Sequence, residues 1–265
     1  MLTTKLAIHG AAGRMGQRLI ALAKDDPALR IVAAIDAPGS PALGQDAGVL
    51  AGIGSLGLAI SAELPLKVVP DCVIDFSAPA GTVSILKTCI DRKLPLVIAT
   101  TGLEAEHREE IDHAAHHTAI LLSPSMSLVV NLLFKLTKLA AEALADQGFD
   151  VEIIERHHRF KKDSPSGTAV QFAKIVQDVM KQERLQHGRE GLIGERPAGE
   201  IGMHAIRAGD SVGEHTILFS TLGETMELVH KGSSRDSYAR GALAAAKFLT
   251  GKPAGIYTMA DVLGL

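Results

Sequence analysis

Along the first half of the chain, short unbroken apolar runs alternate with stretches in which apolar residues recur every three or four positions. Leu6–Ile8 is one such run, ending at His9-Gly10, and a helical pattern follows from Arg14 to about Lys24. Ile31–Ile35 is the next run and ends at Asp36. Cys72–Phe76, Pro95–Ala99 and Ala119–Leu122 continue the series, with helical patterns over Pro79–Asp91 and Leu103–His117 between them. A strand that is apolar at every position is buried on both faces, and strands that alternate with helices build parallel βαβ units. The pattern therefore predicts an α/β domain around a doubly wound parallel sheet. The Gly- and Pro-rich stretch from Ala37 to Val69 breaks the alternation and is predicted to be loop.

Beyond Leu128 the pattern changes. From Leu128 to about Ala145 the polar residues Asn131, Lys135, Lys138 and Glu142 form one stripe on an otherwise apolar helix. Val151–Arg156 then reads as a strand, Thr168–Lys181 as an amphipathic helix, and Ile201–Val229 as several strands with turns at Gly209-Asp210 and Gly223. Strands that cluster together predict a second, α+β domain on a mostly antiparallel or mixed sheet. The Ala-rich helix Tyr238–Leu249 is predicted to return to the first domain. The expected division is thus residues 1–127 with 236–265, and residues 128–235.

The turn after the first strand, Gly10-Ala11-Ala12-Gly13-Arg14-Met15-Gly16, carries chemistry. Gly13 lets the backbone approach a pyrophosphate, Gly16 lets the helix pack closely, and the helix N-terminus offers free N–H groups to an anion. Asp36 closes the second strand, where an acid accepts hydrogen bonds from ribose hydroxyls. Three glycines can also simply make a tight turn. With the strand before, the helix after and the acid in place, the reading is a dinucleotide site in a Rossmann-type domain. Asp36 repels a 2′-phosphate, and Ala37 and Pro38 supply no cation to hold one, so NADH is expected over NADPH.

The second informative stretch runs Glu155-Arg156-His157-His158-Arg159-Phe160-Lys161-Lys162-Asp163-Ser164-Pro165-Ser166-Gly167-Thr168. Basic side chains leading into a helix N-terminus suit a small dicarboxylate, and a histidine there can exchange protons near neutral pH. The plainer alternative is a solvated basic loop with Ser164 or Ser166 as a helix cap. No metal site is expected, because adjacent strand residues such as His157 and His158 point to opposite faces.

Composition narrows the classes. The 265 residues carry 27 Lys and Arg against 30 Asp and Glu, a net charge of −3, with 3% aromatics. A polyanion partner requires clustered cations and stacking rings, so nucleic acid is not expected. No uncharged apolar run approaches the roughly 20 residues of a membrane helix. The N-terminus is too short for a signal peptide, and two cysteines, Cys72 and Cys89, make no disulfide framework; the expectation is a cytoplasmic protein.

The glycine turn and the mid-chain motif E-x-H-H-R-x-K-x-D-x-P-S-G-T, in this order and at this chain length, closely resemble the dihydrodipicolinate (4-hydroxy-tetrahydrodipicolinate) reductase family. Asp75-Phe76-Ser77, Thr100-Thr101-Gly102, Arg207-Ala208-Gly209 and Gly213-Glu214-His215-Thr216 extend the resemblance over nearly the whole chain. It implies reduction of a cyclic, unsaturated dicarboxylate by NADH or NADPH in the diaminopimelate and lysine pathway. Hydride addition sends electron density toward the ring nitrogen, and a proton must follow. The resemblance assigns His157 to proton transfer and Lys161 to catalysis, and places the substrate carboxylates at His158, Gly167 and Thr168. It assigns the cofactor to Gly10, Ala11, Ala12, Gly13, Arg14, Met15, Asp36, Ala99, Thr100, Thr101, Ser123, Pro124, Ser125 and Met126. A homotetramer joined through the second-domain sheets is also implied. This chain departs from the family pattern at Ala99 (usually Gly), Ser125 (Asn) and Val129 (Gly), and Val129 cannot supply a Gly-only backbone angle. A non-catalytic NADH sensor would explain the glycine turn but would leave the mid-chain constellation without a task. A related two-domain amino-acid or aldehyde dehydrogenase would want a catalytic Cys or a differently placed Lys.

Overall fold

In the computed structural model, which describes residues 3–182 and 184–265, the apolar runs pair side by side. The chain runs β1 (Thr4–His9), α1 (Arg14–Lys24), β2 (Leu29–Ile35), α2 (Ala47–Leu50), β3 (Ile60–Ser61), β4 (Cys72–Asp75), α3 (Pro79–Arg92), β5 (Leu96–Ile98), α4 (Ala105–Ala115) and β6 (Ala119–Leu122). It continues through α5 (Leu128–Leu144), β7 (Asp150–His157), α6 (Gly167–Met180), β8 (Arg184–His187), β9 (Glu200–Arg207), β10 (Gly213–Thr221) and β11 (Glu224–Gly232). It closes with α7 (Asp236–Leu249), β12 (Gly255–Tyr257) and α8 (Met259–Leu263). Two units result: the chain up to Leu128 with Arg235–Leu265, and Val129–Ser234.

The first unit holds a seven-stranded sheet of order β12-β6-β5-β4-β1-β2-β3, parallel throughout. From β3 to β6 this is the Rossmann order, with the strand sequence reversing between β1 and β4. The central positions of its main strands are apolar on both sides because both faces are covered. Leu6, Ile8, Ile74 and Val97 pack with Leu19 and Ile20 of α1 and Ala242, Ala245 and Leu249 of α7 on one face. Ala7, Val73, Leu96 and Ile98 pack with Ile85, Leu86 and Cys89 of α3 and Ile111 and Ala114 of α4 on the other. The Ala-rich α7 thus belongs to this unit. Cys72 and Cys89 lie wholly inside it, where burial pushes both thiols up.

The 37–69 loop is more organised than its composition predicts. Asp46 caps α2 by accepting the Gly48 and Val49 N–H groups, and it also accepts from Ser55 Oγ, Leu56 N and Leu58 N. One carboxylate thereby folds the loop back so that β3 reaches β2. The short β12 and α8 were likewise unmarked, being too brief to show a period.

The second unit holds a mixed five-stranded sheet, β11-β10-β7-β9-β8. β10 is antiparallel to β11 and β7, whereas β7, β9 and β8 run parallel. One face is packed by α5 and α6, with Leu133, Phe172, Ala173 and Val176 against Val151, Ile153, Ile201 and Ile217. Strand β8, of sequence Arg-Leu-Gln-His, has no apolar alternation to announce it; it is an edge strand held by its ladder with β9. On the opposite sheet face Ile206 and Val229 stay 44% and 43% exposed.

Candidate functional site

In the first unit, the residues assigned to the cofactor gather at the carboxyl ends of the parallel strands. The glycine turn follows β1, Asp36 follows β2, Ala99–Thr101 follows β5 and Ser123–Met126 follows β6. In a doubly wound sheet this is the edge at which ligands bind. Gly10 has φ +80°, and a Cβ there would meet the Phe76 carbonyl oxygen at 2.4 Å; at Gly16 a Cβ would meet the Gly10 carbonyl oxygen at 2.2 Å. These two glycines let the turn form and let α1 sit down on it.

Not every amide of the turn is open. Gly10 N and Ala11 N donate to the Ile35 carbonyl, Ala12 N donates to Asp36 Oδ2 (2.8 Å), and Gly13 N donates to the Gly10 carbonyl. What remains for an anion is the first turn of α1, from Arg14 and Met15 onward, where Gly13 caps without a side chain and no acid intrudes. Asp36 also accepts from its neighbour Ala37 N (2.9 Å). Beside it lies a cavity of about 460 Å³ walled by Ala12, Gly13, Ser40, Pro41 and Ala42, so the folded 37–69 loop supplies one of its walls. This unit fits a dinucleotide: an open helix N-terminus for the pyrophosphate, an acid for the ribose and a pocket beyond it.

Sequence reasoning missed the group at the end of β4. Asp75 is fully buried and accepts from His9 Nδ1 (2.8 Å), Ser77 Oγ, Thr82 Oγ1 (2.6 Å) and Thr100 Oγ1 (2.8 Å). Burial opposes its charge, but the hydrogen bonds, led by that of His9, hold the carboxyl below its usual range. Thr100 therefore turns its hydroxyl inward, and only its backbone is left for a ligand. Ser123 Oγ donates to the Ser125 carbonyl, and Ser125 Oγ accepts from Ser127 N, a pair of serine turns that leads into α5. The backbone conflict expected at Val129 does not arise: the residue lies in the first turn of α5 and is absent from the positive-φ positions.

In the second unit, the mid-chain motif spans the end of β7, a loop and the start of α6. Alternation along β7 puts Val151, Ile153, Glu155 and His157 on the inward face, so the apolar core row continues into a carboxylate and an imidazole. His157 Nδ1 donates to Glu155 Oε2 (2.6 Å). Glu155 is 1% exposed, and burial would raise its carboxyl, yet the hydrogen bonds from His157 and Arg207 outweigh that and bring it down to about 2. Ser166 caps α6, its Oγ accepting the Ala169 N–H, which leaves the Gly167 and Thr168 amides as orphan donors of the first turn. A Cβ at Gly167 would meet nothing within 4 Å, so that helix end is open. Lys161 Nζ lies 2.8 Å from Asp163 Oδ1, and its own N–H donates to the His158 carbonyl. Behind His157 stands His215, edge to face at 5.3 Å and hydrogen-bonded to Ser166 Oγ at 3.2 Å. Burial first, then the neighbouring His157 and His230, push His215 down to about 3 and keep it neutral.

Two family models match the chain: dihydrodipicolinate reductase, N-terminus, over residues 4–126, and dihydrodipicolinate reductase, C-terminus, over residues 129–263. The 4-hydroxy-tetrahydrodipicolinate reductase of Syntrophotalea carbinolica is 47% identical over 266 residues, covering 98% of this chain and 99% of the relative. That of Nitrosomonas europaea is 45% identical over 269 residues, covering both chains in full. Among solved structures, a dipicolinate-bound dihydrodipicolinate reductase from Paenisporosarcina sp. TG-14 superposes with a TM-score of 0.77 at 23% identity, covering 98% of this chain and 99% of that one. That likeness shows the fold.

Proposed function

Since the chain belongs to the 4-hydroxy-tetrahydrodipicolinate reductase family, and is thereby an NAD(P)H-dependent oxidoreductase of lysine and diaminopimelate biosynthesis rather than a nucleotide sensor, we propose that its second unit receives a cyclic dicarboxylate and moves the protons of the reduction. One carboxylate of the substrate meets the Gly167 and Thr168 amides at the open end of α6, and His158 receives the other. His157 and Lys161 exchange protons with the ring. When bound, the nicotinamide cofactor supplies the hydride. The observation that carries this reading is the linked chain His157–Glu155–Ser166–α6: imidazole and anion-binding turn are joined through one buried carboxylate, with bonds of 2.6 and 3.0 Å. The Paenisporosarcina relative is described with dipicolinate bound, a planar pyridine dicarboxylate of the same charge class.

The adenosine side favours NADH. Asp36 would repel a 2′-phosphate, and no Lys or Arg is among the described residues that wall its cavity. The exposed apolar residues on the helix-free face of the second-unit sheet support assembly through that sheet, as a homotetramer. The test of the substrate class is calorimetric. NADH is titrated with and without pyridine-2,6-dicarboxylate, and mutual tightening is expected, because both ligands serve one reaction. Indifference of each ligand to the other would refute it.

A further inference from the structure

Behind the proposed proton-transfer residue His157 lies an ion pair, Glu155 with Arg207. Glu155 continues the inward apolar row of Val151 and Ile153, a position where an ion is tolerated only if its lone pairs are filled. They are filled. Oε2 accepts His157 Nδ1 (2.6 Å) and Arg207 Nη1 (2.8 Å), and Oε1 accepts Arg207 Nη2 (2.7 Å) and Ser166 N (3.0 Å). Four donors from β7, β9 and the α6 cap thus saturate one carboxylate. Arg207 reaches further: Nη2 also donates to the Asp163 carbonyl (2.7 Å), and the Asp163 carboxylate holds Lys161.

We infer that Glu155 and Arg207 are a positioning pair which sets the His157 imidazole, the first turn of α6 and the Lys161 loop in one fixed arrangement. The inference rests on the proton-transfer role proposed for His157. With Nδ1 committed to Glu155, proton exchange with substrate falls to Nε2, and the carboxylate supplies the counter-charge that an imidazolium needs. That counter-charge matters because the other groups around the ring are basic: Arg207 on β9, His215 on β10, His230 on β11 and Lys161 on the loop, with Glu214 acting on His230. The bidentate fork of Arg207 fixes the plane of the carboxylate, a task that a lysine cannot reproduce. Through Ser166 N the same carboxylate sets how far the α6 amides stand from the imidazole.

The test compares Glu155→Gln, Arg207→Lys and His157→Ala in steady-state kinetics across pH, with NADH affinity and thermal melting measured alongside. Glu155→Gln keeps shape and removes charge. Its kcat is expected to fall about 10- to 100-fold, less than the 10²–10⁴ that a general acid–base group itself contributes. The pH–rate limb of the imidazole should move to lower pH, the substrate KM should rise several-fold, and NADH affinity should stay within about twofold. Arg207→Lys should shift kcat and substrate KM the same way by a smaller factor, and it decides the matter alone if Glu155→Gln does not fold. Wild-type kcat, KM and pH limb in the variants would overturn the pair. So would a loss of kcat with an unmoved pH limb and a lowered melting temperature, which marks a purely structural ion pair. If His157→Ala retains wild-type kcat, the proposed function itself falls; a crippled His157→Ala beside a wild-type Glu155→Gln removes the positioning pair only.

Discussion

His157 gives one ring nitrogen to Glu155 and so has one left for a substrate, while Lys161 is held by a single carboxylate, Asp163. Both side chains belong to the second unit and the glycine turn to the first. Replacing either by alanine is therefore expected to lower kcat about 10²- to 10⁴-fold while NADH affinity, measured by fluorescence titration, stays near wild type. An unchanged kcat in either variant would show that the proton travels by another route. Asp36 carries the opposite kind of prediction, one of choice between cofactors. With its carboxylate on the wall of a cavity that no cation lines, kcat/KM for NADH should exceed that for NADPH by about tenfold or more, equivalent to ~1.4 kcal/mol. Equal use of the two cofactors would contradict it.

At the scale of an element, α1 does two separable things: it packs on the turn and it presents its N-terminus. Gly16 serves the packing. A methyl there would stand 2.2 Å from a backbone oxygen, so Gly16→Ala should destabilise the fold by about 1–3 kcal/mol and lower the melting temperature. Gly13 serves the opening. Its φ of −70° and ψ of 164° suit any residue, and a Cβ there has one backbone neighbour, at 3.2 Å. Gly13→Val should melt near wild type and yet bind NADH more weakly, as seen by titration of the folded variant. If the two variants behaved alike, the division of labour would be wrong. Helix and strand identities were legible from period alone: β6 begins and ends where the apolar run does, and α1 spans its amphipathic stretch. The elements that escaped, the strands β3, β8 and β12 and the helices α2 and α8, are short or polar. The backbones of these strands are held by partners that local sequence does not specify.

At the scale of the whole molecule, buried ionisable groups set the acid limit. His215 has a folded value of about 3 against about 6.5 unfolded, so it binds fewer protons folded than unfolded. Its stabilising contribution is complete above about pH 6.5 and is lost as pH falls from there toward 3. Glu155, and the half-buried Glu152, in which the cost of burial is outweighed by hydrogen bonds from Arg189, His204 and Arg196, are held near 2 against 4.5. They contribute above about 4.5 and lose that contribution as pH falls toward 2. Melting temperature should therefore decline in two stages on acidification, beginning below about pH 6.5. His215→Gln should flatten the first stage, although His230, also lowered by burial, retains part of it. A wild-type melting temperature that is flat from pH 7 to 5 would contradict this. For the proposed assembly, light scattering on the purified chain should report about four times the 27.9 kDa monomer mass. A charge placed at Val229 on the exposed sheet face should lower it.

By itself the sequence determined the longer strands and helices and the faces they bury, and it singled out two motifs as candidate sites. These are local properties: a period of 2 or 3.6, a glycine where a Cβ cannot stand, a run of basic residues before a helix. Tertiary structure alone decided the partners. Arg207 lies 52 residues from Glu155 and Ser166 eleven, yet both converge on its carboxylate. Thr100 stands 25 residues from Asp75 and spends its hydroxyl there, while the Ala12 amide turns to Asp36 rather than outward. Strand alternation says that Glu155 points inward. What makes a buried charge tolerable there is the set of donors that pairing with β9 and the cap of α6 bring to it, and no local pattern encodes that meeting.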